Sequence, residues 1–440
     1  MNSSPLRLIL LLALSPTLGL SAQPAPQGVV TADIDRFWQA YDRIVATPDT
    51  AEQRALLLRM YIEPGTPGLR AFMEARRYTP DDYLTAIARH PRFWRSIRAN
   101  TVRASTLGLA IAAGVEQLRG IYPTLRPAPV YFVIGAFRSP GTILNGNVLI
   151  GAELALGDST TDLSEFPANF GYLKPYFAGN PVAQVVQLNV HEYVHTQQRD
   201  HEYVLLYRTL YEGIAEFVSV TAVGGVSGSP AIEYGRAHRE RIRDRFAPVI
   251  LSPGAVDDWF YNSADNEFGI RDLGYYVGYE IAERIYRQAN DKRAAVARLV
   301  DLDYADKSAV ERLVDESAFF GRPLRDEIAR YEASRPTVTG LVGVKNGESA
   351  ASPTLTQVTI KFSVPVAQTH RGFDFGPLGE SNVLRIARFV GFADDGRSAT
   401  IDLAPLQPGR RYQMVVTDRF RTASGLPLVP YLIDFTTGKQ

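Results

Sequence analysis

Only six histidines occur in this 440-residue chain, and two of them stand four apart in His191-Glu192-Tyr193-Val194-His195. On a helix, residues i and i+4 lie one above the other on a single face, so both imidazoles can converge on one cation. Glu192 is turned further round the helix, where it is placed to take a proton from a metal-activated water rather than to bind the metal itself. The chain has no cysteine, so any metal must be held by imidazole and carboxylate, and Zn2+ is the expected cofactor. A catalytic zinc takes three protein ligands and keeps one position open. The third ligand is sought in Tyr211-Glu212-Gly213-Ile214-Ala215-Glu216-Phe217. Glu212 and Glu216 share a helical face; one is expected to bind the metal and the other to accept a hydrogen bond from a ligating histidine. Spacing alone leaves open which does which.

The HExxH segment followed by E-G-x-A-E-F resembles the gluzincin superfamily of zinc metallopeptidases. That resemblance implies that Glu212 is the third ligand and that Glu216 supports His191. A closer likeness is to an uncharacterised bacterial group of predicted zinc-dependent proteases. It rests on the strand region from Val130 to Glu153 and on Gly274-Tyr275-Tyr276-Val277-Gly278-Tyr279, and covers about 127–287. The G-x-M-E-N strand of the aminopeptidases is absent, Ile150-Gly151-Ala152-Glu153 being a loose echo of it. Amide hydrolysis also needs a donor for the oxyanion of the tetrahedral intermediate. Gluzincins use a Tyr or His downstream of the third ligand, so Tyr275, Tyr276 and Tyr279 are candidates, with Tyr276 preferred. The competing reading of that segment is structural, with Gly274 and Gly278 letting a helix pack closely on its neighbour. His201, His238 (in a charged helix over 236–245) and His370 read as loop or surface residues.

The elements that must position these groups suggest an α+β fold. It is expected to comprise a mainly helical metallopeptidase domain with a small β-sheet, over 26–333, then an all-β sandwich over 334–440. In 30–120, Ile34, Phe37, Trp38, Tyr41 and Ile44 recur at helical spacing and mark an apolar stripe. A small sheet is expected over 127–153, its strands at 130–134 and 147–150, with turns at Ser139-Pro140-Gly141 and Asn145-Gly146. Active-site helices follow over 182–333, the metal-site helix running over 185–198, with a loop at 224–230. Beyond Ser334-Arg335-Pro336 the period drops to two, as in Val358-Thr359-Ile360-Lys361-Phe362. With Leu406-Gln407-Pro408-Gly409-Arg410-Arg411-Tyr412 and the closing Phe435-Thr436-Thr437, this region resembles a bacterial Ig-like domain, a spacer or a binder of cell-wall or surface polymer.

Arg7, the apolar stretch from Leu8 to Leu20 and the small residues Ser21-Ala22 have the layout of a secretory signal peptide over 1–25. Export to a bacterial periplasm or the exterior is therefore expected, and no transmembrane helix is expected in the mature protein. Lys+Arg and Asp+Glu each number 47, so the charge balance gives no ground for a nucleic-acid partner. The expectation is an exported zinc metallopeptidase acting on a peptide or protein substrate, with Glu192 as general base. The alternatives are a zinc aminopeptidase or cell-wall peptide amidase, and a non-catalytic binding or scaffold protein that keeps the fold.

Overall fold

The computed structural model describes residues 28–439, so the expected signal peptide lies outside the described residues. The fold is mixed α+β. It opens on β1 (Val29–Val30) and six helices: α1 (Ala32–Val45), α2 (Thr50–Leu57), α3 (Pro67–Arg76), α4 (Pro80–Arg89), α5 (Pro91–Val102) and α6 (Gly108–Ile121). The stripe read on α1 is the buried one: Ile34, Phe37, Trp38, Tyr41 and Ile44 all face the core. Thr66 and Thr79 cap α3 and α4 through their hydroxyls, each followed by proline at the first helical position.

The next segment builds a sheet from β2 (Val130–Val133), β3 (Gly141–Leu144) and β4 (Asn147–Gly151), with strand order β1-β2-β4-β3. β1, β2 and β4 run parallel, and β3 returns antiparallel along the edge. Asn145 and Gly146 both take positive φ between β3 and β4, the combination that matches the twist of a two-residue hairpin. The reading of Ser139-Pro140-Gly141 as a turn needs correction at its last residue. Gly141 opens the edge strand, which the turn-rich composition concealed, and the two-residue β1 carries no alternation by which to find it.

Helices resume with α7 (Ala152–Ala155), α8 (Leu173–Ala178), α9 (Val185–His195) and α10 (Leu205–Val223). They continue through α11 (Pro230–Ala237), α12 (Arg239–Phe246), α13 (Val256–Trp259), α14 (Gly274–Gln288), α15 (Lys292–Val300), α16 (Lys307–Ser317) and α17 (Leu324–Ser334). The single charged helix expected over 236–245 is broken: His238 leaves helical geometry and joins α11 to α12. Among the described residues no helix is long and apolar enough to cross a membrane. After α17 come β5 (Val338–Val342), β6 (Gln357–Phe362), β7 (Phe373–Asp374), β8 (Ile386–Phe392), β9 (Ser398–Leu403), β10 (Arg411–Val416) and β11 (Tyr431–Thr436). They form one sheet of order β5-β6-β9-β8 and another of order β11-β10-β7. Val358, Ile360, Met414 and Ile433 from both sheets share one apolar cluster, separate from the core of the helical part. Arg335 ties the two parts, donating to the carbonyls of Pro427 and Leu428 at 3.0 and 2.8 Å.

Two close helix contacts frame α9 and α10. Gly114 of α6 lies against Val186 and Val190 of α9. Gly213 of α10 meets the backbone of Gly278 and Tyr279 on α14, and a Cβ on Gly278 would overlap the carbonyl oxygen of Thr209. The close-packing reading of the α14 glycines is therefore the one the fold uses. Because that crossing has backbone on both sides, no rotamer change can make room for a methyl group. Gly278→Ala is expected to cost about 1–3 kcal/mol, the range for an overpacked core, read as a lower urea midpoint; an unchanged midpoint would contradict the crossing.

Candidate metal centre

α9 presents His191 and His195 one turn apart, and the antiparallel path of the chain brings Glu212 of α10 opposite them. All three side chains are buried, each with one ligand atom aimed at a common point. His191 Nε2 lies 3.0 Å from His195 Nε2, and Glu212 Oε2 lies 3.4 and 3.3 Å from those two nitrogens. Ligand atoms about 2.0–2.1 Å from a tetrahedral centre stand roughly 3.3 Å apart, so the donor set fits a small divalent cation.

The far side of each imidazole is also occupied. His191 Nδ1 faces Glu216 Oε2 at 3.0 Å, and Glu216 in turn accepts from Gln187 Nε2 at 2.9 Å and from the Ser227 hydroxyl. His195 Nδ1 faces Gln198 Oε1 at 2.6 Å, while Gln198 Nε2 donates to the Tyr211 carbonyl at 3.0 Å. The Tyr211 ring stacks on His195 with centroids 4.2 Å apart. An Nδ1–H donated outward on each ring leaves the Nε2 lone pairs facing inward, the tautomer a metal requires.

Glu192 sits beside the triad and against the edge strand: a Cβ on Gly141 would stand 2.5 Å from its Oε1. Burial pushes the Glu192 carboxyl above its ordinary range, opposed by His195 and His191. Arg76, at the end of α3, donates to the Gly141 carbonyl at 3.1 Å and adds positive charge on that side. Glu212 is held well below the usual carboxylate range; burial works the other way, but Arg208 and the two histidines outweigh it.

The structure brings together His191, Glu192, His195, Glu212 and Glu216, and leaves Tyr276 out. Tyr276 is fully buried with its ring against Gly235 of α11 and 6.5 Å from that of Phe319, and its hydroxyl has no partner among the described residues. Its neighbour Tyr275 is the one beside the triad, ring centroid 6.2 Å from that of His191. Successive residues on a helix diverge by about 100°, and Tyr276 is turned away from the triad onto Gly235 of α11. Tyr279 packs on Phe217. Glu153 is fully buried and accepts from the backbone N–H groups of Gly135 and Phe137 at 2.9 and 3.3 Å. The residues that sequence reasoning missed are Arg208 and Gln198, although both carry a signal, one helical turn before Glu212 and three residues after His195.

No family model matches the chain, and no curated protein matches it. Solved structures with some likeness include surface layer protein SbsC, domains 1–6, at 15% identity and a TM-score of 0.19, covering 75% of this chain and 45% of that one. The N-terminal part of the bacterial S-layer protein SbsC overlaps at 12% identity and a TM-score of 0.18, covering 93% and 70%. The chain thus spans less than half of the first of these, and overlaps this weak decide nothing about fold or function.

The buried cluster has a titration consequence when no metal is bound. Burial alone would depress His191, but hydrogen bonds to Glu212 and Glu216 prevail and hold it up to about 10, from 6.5. A raised histidine pKa contributes stability that is fully present below the unfolded value and is lost as pH rises through the folded one. Chelator-treated protein is therefore expected to lose melting temperature between pH 6.5 and about 10, with Glu216→Gln flattening that slope. Equal slopes for the two proteins would contradict the pairing.

Proposed function

We propose that this chain is an exported zinc metallopeptidase of gluzincin type, hydrolysing peptide bonds in a peptide or protein substrate. The observation that carries the reading is the meeting of His191 Nε2, His195 Nε2 and Glu212 Oε2 within hydrogen-bond-like distances of each other, with Glu192 alongside. Two imidazoles and a carboxylate suit zinc, and three protein ligands leave a position for chemistry. When bound, the ion would supply Lewis acidity, polarising the scissile carbonyl and lowering the pKa of a water.

The chain's own residues supply the rest. Glu192 takes the proton of the attacking water on its carboxylate and passes it to the leaving amine. Burial raises its carboxyl above the ordinary range, the direction that favours handing the proton on to the amine. Glu216 and Gln198 hold the imidazoles in orientation through Nδ1. Tyr275, rather than Tyr276, is the aromatic hydroxyl on the site's side of α14 and the better candidate to donate to the oxyanion.

The aminopeptidase alternative requires an acidic anchor for a free substrate amine. Glu153, the residue suggested for it, spends its oxygens on Gly135 and Phe137, which favours an endopeptidase or a cell-wall peptide amidase. The C-terminal strands are read as an Ig-like sandwich serving as spacer or as binder of surface polymer, supported by two sheets that share one core. Export to the periplasm or beyond rests on the N-terminal segment of the sequence. The test is Glu192→Gln, assayed by mass spectrometry on a peptide library. Hydrolysis is expected to fall about 10²–10⁴-fold, the worth of a positioned general base, with zinc content unchanged. A variant as active as wild type would exclude this role for Glu192, and a wild-type protein that binds zinc but cleaves nothing would favour the scaffold reading.

A further inference from the structure

Arg208, Glu212 and Glu216 fall at successive four-residue steps along α10 and so form one stripe on its face. Glu212 and Glu216 are engaged with the histidines, and Arg208 completes the row at the other end. Its Nη2 lies 2.6 Å from Glu212 Oε1, while Glu212 Oε2 is the oxygen turned to both imidazoles. The two oxygens of one carboxylate are thus assigned to two different tasks.

We propose that Arg208 is the positioning residue of the metal centre, occupying one oxygen of Glu212 so that only the other is available as a ligand. The inference rests on the metal reading given above. A carboxylate's terminal torsion is broad and roughly two-fold, so a glutamate with no partner on Oε1 can swing both oxygens toward a cation. That would fill the position that substrate and water require. Arg208 is suited to prevent it because it is itself fixed. The same Nη2 reaches the Tyr261 hydroxyl, and the guanidinium lies 5.6 and 5.8 Å from the ring centroids of Tyr211 and Tyr261. Tyr211 is the ring stacked on His195, so the guanidinium, the carboxylate ligand and one imidazole ligand are packed as a single unit. Its side chain is 22% exposed, which leaves little room for another position. Lysine would keep the charge but not the planar guanidinium that lies against the Tyr211 and Tyr261 rings.

The experiment loads wild type, Arg208→Met and Arg208→Lys with Co2+ after chelation, and measures affinity by titration calorimetry and coordination by visible absorption. Circular dichroism and melting select the variants that fold; the lysine variant is the more conservative of the two. Affinity is expected to fall about 10–100-fold, as for other groups that orient a metal ligand. The d–d absorption of the folded variants is expected to weaken, the signature of an added ligand oxygen. Folded variants whose cobalt spectra match wild type would overturn the proposal, including the case in which only the KM for peptides rises, which would make Arg208 a substrate-binding group. A wild-type protein that takes up no cobalt would overturn the metal reading beneath it, an outcome distinct from a wild-type spectrum that the variants merely reproduce.

Discussion

Three electron-pair donors pointed at one spot in a buried space are the constraint around which this molecule is organised. Two neutral imidazole nitrogens 3.0 Å apart, with a carboxylate oxygen 3.3 and 3.4 Å from them, repel one another unless positive charge sits among them. A proton can supply that charge, and His191 is held far above the ordinary histidine range when it must do so. A divalent cation supplies it better, because it satisfies all three donors at once. An arrangement of this kind persists only if the surrounding structure leaves its members no other place to go.

The surroundings meet that requirement through packing. α9 is pinned between α6, where Gly114 admits Val186 and Val190, and the edge of the sheet, where Gly141 admits Glu192. α10 is pinned by α14 through the Gly213–Gly278 crossing, which fixes the height of Glu212 opposite the histidines. Each imidazole is then locked from behind, one by a carboxylate and the other by a carboxamide. Buried polar groups of this kind are costly when half satisfied. The chain of partners therefore continues outward to Gln187, Ser227 and the Tyr211 carbonyl.

The features legible in the sequence were those that depend on spacing along one helix. His191 and His195 at i and i+4, and Glu212 and Glu216 likewise, needed only helical geometry to be grouped, and the buried stripe of α1 followed the same rule. What was not legible depends on contacts between elements. Tyr275 and Tyr276 are chemically alike, and only their contacts with other helices, such as that of Tyr276 with Gly235, distinguish them. Strand β3 hides in a segment whose Ser, Pro and Gly announce a turn, because its pairing with β4 outweighs composition. Arg208 had a readable offset from Glu212, yet an arginine on a helix face is ordinarily solvated, and nothing local distinguishes one that is stacked on tyrosines.

The central claim is that His191, His195 and Glu212 are the ligands of one cation, and the most direct test is a zinc-edge anomalous difference map from crystals of the zinc-loaded protein. A single strong peak is expected about 2.0–2.1 Å from His191 Nε2, His195 Nε2 and Glu212 Oε2, with Glu192 beside it and uncoordinated. A map with no peak among these three atoms, or with zinc held by Glu192 or Glu216 in place of Glu212, would contradict it.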